Sequence, residues 1–160
     1  MSSDRIEKSA TLRAPLPRVW RAISDSVEFG RWFGMSVDGQ FVAGQTVHAV
    51  MAPTEVDPEI AEQQRPYAGV PCVLHVVAMD PPRRFAFRWN PIPDPDFADL
   101  TTLVEFTLDE TDDGVLLRIV ESGFDALPHD RRGAAFADNS EGWSAQLTMV
   151  ARYVTEARWA

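Results

Sequence analysis

A single acidic residue interrupts an apolar row near the end of a predicted sheet. In the segment GVLLRIVESG, the alternating residues Leu117, Ile119 and Glu121 share one face of a strand. If that face lines a cavity, a carboxylate there is costly unless it is paired or hydrogen-bonded. Two interpretations stay open. In the first, Glu121 contacts a ligand or acts as a general acid or base. In the second, it lies at the strand end, where it is half solvated or paired with Arg131 or Arg132.

Aromatic and amide side chains accompany this carboxylate in two other segments. Phe87 and Trp89 share a face of the strand RRFAFRWN, and Trp143 follows a glycine in the C-terminal segment NSEGWSAQL. Asn139 and Gln146 lie on one flank of the same predicted helix, where they line a pocket rim, cap backbone groups or face water. Amides beside aromatic walls are typical of a site that orients a small, largely apolar molecule. The candidate ligand-binding residues are Trp32, Phe87, Trp89, Glu121, Phe136, Asn139, Trp143, Gln146 and Leu147. Core packing is the alternative for each tryptophan.

Other reactive side chains form no recognisable constellation. The three histidines do not occur at ligand spacing, so we expect no metal site, and the apolar run around His75 predicts a core histidine. Cys72 has no visible base partner and lies in an apolar run, as a buried thiol would. Because P-loop and dinucleotide-binding glycine motifs are also missing, we expect no cofactor and favour a binding protein over an enzyme.

Composition restricts the class of protein. The chain has 160 residues, of which 45% are hydrophobic, and this fits one domain over residues 1–160 with its own core. Fifteen basic and 24 acidic side chains give a formal charge of -9, which disfavours a nucleic-acid partner. The N-terminal residues lack the apolar centre of a signal peptide, and no stretch approaches the roughly 20 apolar residues of a membrane span. We therefore expect a cytoplasmic protein without membrane association.

Hydrophobic patterning predicts the elements that position these residues. A strand over residues 5–13 precedes two short helices, in APLPRVWRAISD and SDSVEFGRWFG, the second ending at Gly34. Six further short runs predict strands, and the short turn DETDDG predicts antiparallel pairing. In the last helix, one face carries Phe136, Ser140, Trp143, Leu147, Val150 and Val154, so Trp143 faces the sheet. Gly142 lowers helix propensity there, which indicates a close approach or a bend.

Four motifs occur in this order of elements: RVWRAISDSVEFGRWFG, DPPRRFAFRW, VESGF and NSEGWSAQL. Together they resemble the helix-grip fold of the START-like superfamily, and specifically the SRPBCC proteins related to the C-terminal domain of the Hsp90 ATPase activator. The resemblance extends from about Arg5 to Arg158. It implies an α+β fold in which a curved antiparallel seven-stranded sheet surrounds a long C-terminal helix, with two short helices after strand 1. It also implies a deep, mostly apolar cavity. The segment 53–69 departs from the family, because it is longer than a compact member needs, and it could supply a lid for this cavity.

Three functions are compatible with this resemblance. The leading hypothesis is a module that binds a small hydrophobic or aromatic molecule between Phe87, Trp89, Trp143 and Leu147. The alternatives are an enzyme similar to polyketide cyclases and aromatases, with Glu121 as its acid or base, and a cochaperone-like protein that activates an ATPase. A homodimer formed through the open sheet edge or through the 53–69 segment is also compatible with the sequence.

Overall fold

The fold is a curved antiparallel sheet packed around a long helix. The computed structural model describes residues 4–92 and 94–160. Its strands are β1 Arg5–Leu12, β2 Met35–Asp38, β3 Thr46–Met51, β4 Pro71–Asp80, β5 Arg84–Trp89, β6 Thr102–Thr111 and β7 Gly114–Ser122. Its α-helices are α1 Leu16–Ser24, α2 Ser26–Phe33, α3 Pro58–Gln64 and α4 His129–Thr155. The strands pair in the order β1-β7-β6-β5-β4-β3-β2, every neighbouring pair being antiparallel. The predicted α+β helix-grip arrangement is therefore confirmed.

The two short helices after β1 have well-defined ends. The side chain of Asp25 accepts hydrogen bonds from the backbone N–H groups of Val27 and Glu28, so it caps the first turn of α2. Gly34 ends this helix with a φ of 94°, a left-handed conformation that glycine adopts without strain. A Cβ atom at Gly34 would also lie 2.7 Å from the carbonyl oxygen of Ala52. The predicted end of the helix at Gly34 is thus confirmed.

The inner face of the sheet is almost entirely shielded from solvent. Its central positions are Phe85 and Phe87 on β5, Thr102, Val104, Phe106 and Leu108 on β6, and Val115, Leu117, Ile119 and Glu121 on β7. Each of these residues is at most 1% exposed. The alternation that assigned the apolar rows to one face is therefore confirmed, and the acidic residue at the end of the β7 row lies inside the protein.

The helix α4 is held from both flanks, because it contacts β1 on one side and α1 and α2 on the other. Trp143, Leu147, Val150 and Val154 are buried, as the predicted stripe requires, whereas Phe136 and Ser140 are only half-buried. Ala135, Met149 and Tyr153 are also buried. The buried surface is wider than the sequence indicates, since the helical hairpin α1–α2 covers a second side of α4.

The segment 53–69 is an ordered part of the fold rather than a plain loop. It contains α3, and the side chain of Asp57 caps that helix. Arg152 of α4 holds the segment through an ion pair of 2.7 Å between its Nη1 atom and the Oδ2 atom of Asp57. Gln64, at the end of α3, accepts a hydrogen bond of 2.7 Å from the backbone N–H of Thr54. The segment therefore packs against α4 and against the end of α2.

His75 lies on the outer surface of the sheet. His75 is exposed, because it alternates with the buried Leu74 and Val76 on β4, and its Nδ1 atom lies 2.9 Å from Oγ1 of Thr46. The sequence-based prediction of a core histidine is wrong at this position.

Among the described residues, no helix combines the length and the apolar character that crossing a membrane requires.

Candidate ligand-binding site

The centre of the site is a fully buried carboxylate that accepts four hydrogen bonds. The Oε2 atom of Glu121 accepts from Nε1 of Trp89 at 2.8 Å and from Oγ1 of Thr102 at 2.5 Å. Its Oε1 atom accepts from Nδ2 of Asn139 at 2.9 Å and from Nε1 of Trp143 at 2.8 Å. Glu121 itself is 0% exposed. Four donors from β5, β6 and α4 therefore converge on one side chain of β7.

Strand register and helical spacing bring these donors together. Trp89 lies opposite Thr102 in the β5–β6 pair, and Val104, two residues along β6, lies opposite Glu121 in the β6–β7 pair. The side chains of alternate residues point to the same face, so these groups meet on the inner side of the sheet. Asn139 and Trp143 are four residues apart on α4 and thus project from one face of the helix.

The carboxylate of Glu121 is stabilised by neutral hydrogen-bond donors, and no cationic side chain among the described residues forms an ion pair with it. Indole and amide N–H groups only donate hydrogen bonds, so three of the four partners require the carboxylate to accept. Arg131 forms its ion pair with Asp94 at 3.3 Å, and Arg132 lies 3.9 Å from Asp125. The alternative in which Glu121 pairs with Arg131 or Arg132 is therefore wrong. Both arginines lie in the first turn of α4, where acidic groups of neighbouring loops are within their reach.

The carboxylate fixes the orientation of two indole rings. The ring centroids of Trp89 and Trp143 lie 5.6 Å apart with an interplanar angle of 30°, and Glu121 binds both N–H groups. Because each carboxylate oxygen already accepts two hydrogen bonds, its lone pairs are directed at these donors. In this geometry Glu121 positions the walls of the site, and it does not itself line the neighbouring pocket.

A small pocket opens beside the two indoles. Its volume is about 70 Å³, and it is lined by Phe33, Trp89, Asn139, Gly142, Trp143 and Gln146. The ring of Phe33 lies 5.9 Å from the ring of Trp89 and 5.9 Å from that of Trp143, so three aromatic side chains form the walls. Deeper in the fold, where the family resemblance implies a cavity, the fully buried rings of Phe29, Phe85, Phe87 and Phe106 pack against one another.

Gly142 lies at the solvent side of this pocket. It is exposed, and no neighbouring atom approaches within 4 Å of the position that a Cβ atom would take. The close approach that the sequence suggested for this glycine is therefore absent among the described residues. Because glycine has no side chain, open space remains at this position between the pocket and solvent.

The amide of Gln146 forms the polar edge of the pocket. Its Nε2 atom donates a hydrogen bond of 2.9 Å to the carbonyl oxygen of Phe33. The same carbonyl accepts from Nε2 of Gln64 at 3.3 Å. The Oε1 atom of Gln146 is buried and accepts no hydrogen bond from any described residue. The pocket thus borders a buried acceptor whose hydrogen-bonding capacity is not used.

The remaining candidates lie elsewhere. Trp32 is fully buried in the core and donates from Nε1 to the carbonyl oxygen of Ala22 at 2.8 Å. Phe87 also belongs to the core, and Phe136 packs on Phe124 with 5.2 Å between ring centroids. Leu147 faces a separate groove of about 430 Å³ between β1 and the C-terminal half of α4. Of the predicted residues, the structure therefore brings together Trp89, Glu121, Asn139, Trp143 and Gln146. Trp32, Phe87, Phe136 and Leu147 lie outside this group.

Three residues of the site were not among the sequence-based candidates. Phe33 and Gly142 line the pocket, and Thr102 binds the carboxylate. A signal for Thr102 existed, since it precedes Val104 and Phe106 at two-residue spacing and must share their buried face. Phe33 and Gly142 gave no comparable signal, because their positions depend on how α2 and α4 dock.

The described residues give little support for metal binding or for a nucleophilic thiol. No group of three or more histidine, cysteine or acidic side chains within residues 4–92 and 94–160 is arranged to hold a metal ion. Burial raises the pKa of the Cys72 thiol from 9.0 to about 11, which makes it a poor nucleophile at neutral pH.

The chain is similar to a known family and to several solved structures. Residues 13–155 match the family model described as Activator of Hsp90 ATPase homolog 1-like protein. Protein MLL2253 from Mesorhizobium loti is 22% identical with a TM-score of 0.68, and the match covers 92% of this chain and 93% of that one. Protein BH1534 from Bacillus halodurans is 23% identical with a TM-score of 0.67, and the match covers 95% and 96%.

A third structure, the Aha1 dimer from Colwellia psychrerythraea, is 13% identical with a TM-score of 0.68, and the match covers 94% of this chain and 95% of that one. No match was found among curated proteins. Structural similarity at these identities shows the fold alone. The family model spans most of the chain, and on that basis the chain belongs to the Activator of Hsp90 ATPase homolog 1-like family.

Proposed function

We propose that the protein binds a small, flat, largely apolar molecule in the pocket between α2, β5 and α4. The observation that carries this proposal is the buried carboxylate of Glu121, which holds two indole rings in fixed positions beside a pocket. A site whose walls are already ordered loses less conformational entropy on binding.

A glutamate such as Glu121 is an energetically unfavourable residue for filling a protein core. Burial of a carboxylate carries a large desolvation cost, and an apolar side chain of similar size would pack without that cost. The arrangement becomes understandable if the orientation of the indole rings matters, because four hydrogen bonds fix Trp89, Trp143 and Asn139 around the carboxylate more strictly than apolar packing would. This supports a binding role for the surface that the rings present.

The size of the pocket limits what can enter it. An enclosed cavity of about 150 Å³ accommodates benzene in a well-studied case, whereas this pocket measures about 70 Å³. One edge of a ring therefore enters between Phe33 and the two tryptophans, and the rest of the ligand lies over Gly142, where no side chain obstructs it. A flat molecule of one or two rings suits this geometry.

The geometry does not favour the cyclase-like or aromatase-like alternative. As a general acid or base, Glu121 would have to contact the substrate, but both of its oxygens are already bound by protein donors. The cochaperone alternative is supported by family membership. A homodimer is supported by the fold shared with the Aha1 dimer of Colwellia psychrerythraea. Neither of these alternatives depends on the pocket.

The proposal can be tested with protein labelled with ¹⁵N, by following the indole N–H resonances of Trp89 and Trp143. We expect flat aromatic compounds to shift these two resonances in a saturable way, while fatty acids and sterols leave them in place. The variant Gly142→Leu fills the solvent side of the pocket and should abolish the shifts.

The matched control is Gly133→Leu, because Gly133 is a second exposed glycine of α4 with open space at its Cβ position. The proposal fails if no aromatic compound shifts either resonance. It also fails if Gly142→Leu binds as well as Gly133→Leu.

A further inference from the structure

We infer that the ligand of this pocket presents a hydrogen-bond donor, an N–H or O–H group, to the Oε1 atom of Gln146. The inference rests on the proposed binding function and narrows the class of ligand. It is drawn from the one buried acceptor that borders the pocket without a donor among the described residues.

The orientation of the Gln146 amide is fixed by its surroundings. Nε2 lies 2.9 Å from the carbonyl oxygen of Phe33, a group that only accepts hydrogen bonds. Rotating the amide by half a turn would place two acceptors against each other and lose this bond. The atom left without a partner is therefore the oxygen and not the nitrogen.

The side-chain donors of the pocket other than Gln146 are already engaged. Trp89, Trp143 and Asn139 each donate to the carboxylate of Glu121. Among the described residues that line the pocket, the buried side-chain atom left without a hydrogen-bond partner is Oε1 of Gln146. A buried acceptor without a donor destabilises the free protein, and a ligand that supplies the donor removes this cost on binding.

This combination points to a recognisable class of ligand. The aromatic walls favour a flat ring, and the acceptor favours a polar hydrogen on the edge of that ring. Phenols, anilines and heteroaromatic rings with an N–H group have both features. Aromatic ethers and N-methylated rings have the flat surface without the donor.

Matched pairs of compounds separate the two contributions. We would measure dissociation constants for phenol and anisole, and for indole and N-methylindole, from the titration of the Trp89 and Trp143 indole resonances. In the wild-type protein we expect the donor to bind roughly fivefold more tightly than its methylated partner, since this is the size of a typical hydrogen bond. In Gln146→Met this preference should disappear, because methionine has a similar shape but lacks the amide oxygen.

The control variant is Gln64→Met. Gln64 provides the other hydrogen bond to the carbonyl oxygen of Phe33 and does not line the pocket. Gln64→Met should therefore retain the preference for donors. A preference caused only by the bulk of the methyl group would persist in both variants, and that result would overturn the inference.

A spectroscopic readout avoids dependence on the variants. The side-chain amide resonances of Gln146 should shift with phenol and indole, and much less with their methylated partners. Equal shifts for both members of each pair would overturn the inference while leaving the binding function intact. If none of the four compounds binds, the proposed function fails and the inference fails with it.

Discussion

Replacement of Glu121 by glutamine tests whether the buried carboxylate stabilises the fold around it. Glutamine has nearly the same shape, but it accepts at one end and donates at the other. If its amide nitrogen takes the place of Oε2, it faces the N–H of Trp89, while the hydroxyl of Thr102 can turn to accept. If the nitrogen takes the place of Oε1, it faces the N–H of Trp143, while Asn139 can turn to accept. Either orientation leaves one indole N–H without an acceptor.

The size of the effect follows from this count. Losing one hydrogen bond to a charged group, and leaving one buried N–H unpaired, costs about 3 kcal/mol. Relief of the desolvation cost of the carboxylate offsets part of this loss. We therefore expect Glu121→Gln to lower the free energy of unfolding by about 2 kcal/mol. For a chain of this length, that corresponds to a fall of roughly 4–8 °C in Tm.

Urea unfolding followed by circular dichroism measures this difference, and Glu105→Gln is the matched control. Glu105 lies on β6, is half-buried and forms an ion pair of 2.8 Å with Arg84. Because such pairs contribute up to about 1 kcal/mol to the free energy of unfolding, Glu105→Gln should lower it by no more than this amount. If Glu121→Gln proves as stable as the wild type, or more stable, the desolvation cost outweighs the four hydrogen bonds. The carboxylate would then not be a group that organises the fold around it.

Three further predictions concern single residues. Gly142→Ala should raise the free energy of unfolding by about 0.5–1 kcal/mol, because alanine has the higher helix propensity and open space surrounds its Cβ position; a fall in Tm would show that the glycine conformation is required. Cys72 should react with iodoacetamide at pH 8 roughly a hundredfold more slowly in the folded protein than after unfolding, since burial raises its pKa to about 11; equal rates would contradict this burial. Hydrogen bonds from the backbone N–H groups of Ile60 and Glu59 lower the pKa of Asp57 below 3.8 in the folded protein. The ionised carboxylate therefore stabilises the fold fully above pH 3.8, the pKa in the unfolded chain, and this stabilisation is lost as the pH falls through the lower pKa of the folded protein. The difference in urea unfolding between the wild type and Asp57→Ala should therefore shrink in acid, and a constant difference would rule out this titration.

Much of the fold could be predicted from local patterns in the sequence. Alternation assigned Phe87 to one face of a strand, and Leu117 and Ile119 to one face of another, and all three are buried. Helical spacing assigned Trp143 and Leu147 to the buried side of α4. Glu121 was recognisable because an acid in an apolar row needs partners. These predictions succeed because side-chain direction in a strand or helix is set by neighbouring positions in the chain.

The partners of Glu121 and the size of the pocket could not be predicted in the same way. Which donors meet the carboxylate depends on the pairing of Trp89 with Thr102 and on the docking of α4, and both relate residues far apart in the sequence. The volume left open depends on how the rings of α2, including Phe29 and Phe33, fill the interior. Packing at this scale changes with single methyl groups, which a sequence pattern does not resolve.

The hydrogen bonds of Glu121 also help to fix the position of α4 along its own axis. An apolar stripe nearly repeats after each turn of a helix, so contacts with Leu147 or Val150 alone would tolerate a slide of one turn, about 5.4 Å. Such a slide would carry Asn139 and Trp143 away from the carboxylate and leave its Oε1 atom buried without either donor. We expect misplaced positions of the helix to be strongly disfavoured for this reason. Glu121 thus contributes to the register of the helix, together with the hydrogen bond from Gln146 to Phe33 and the ion pair of Arg152 with Asp57.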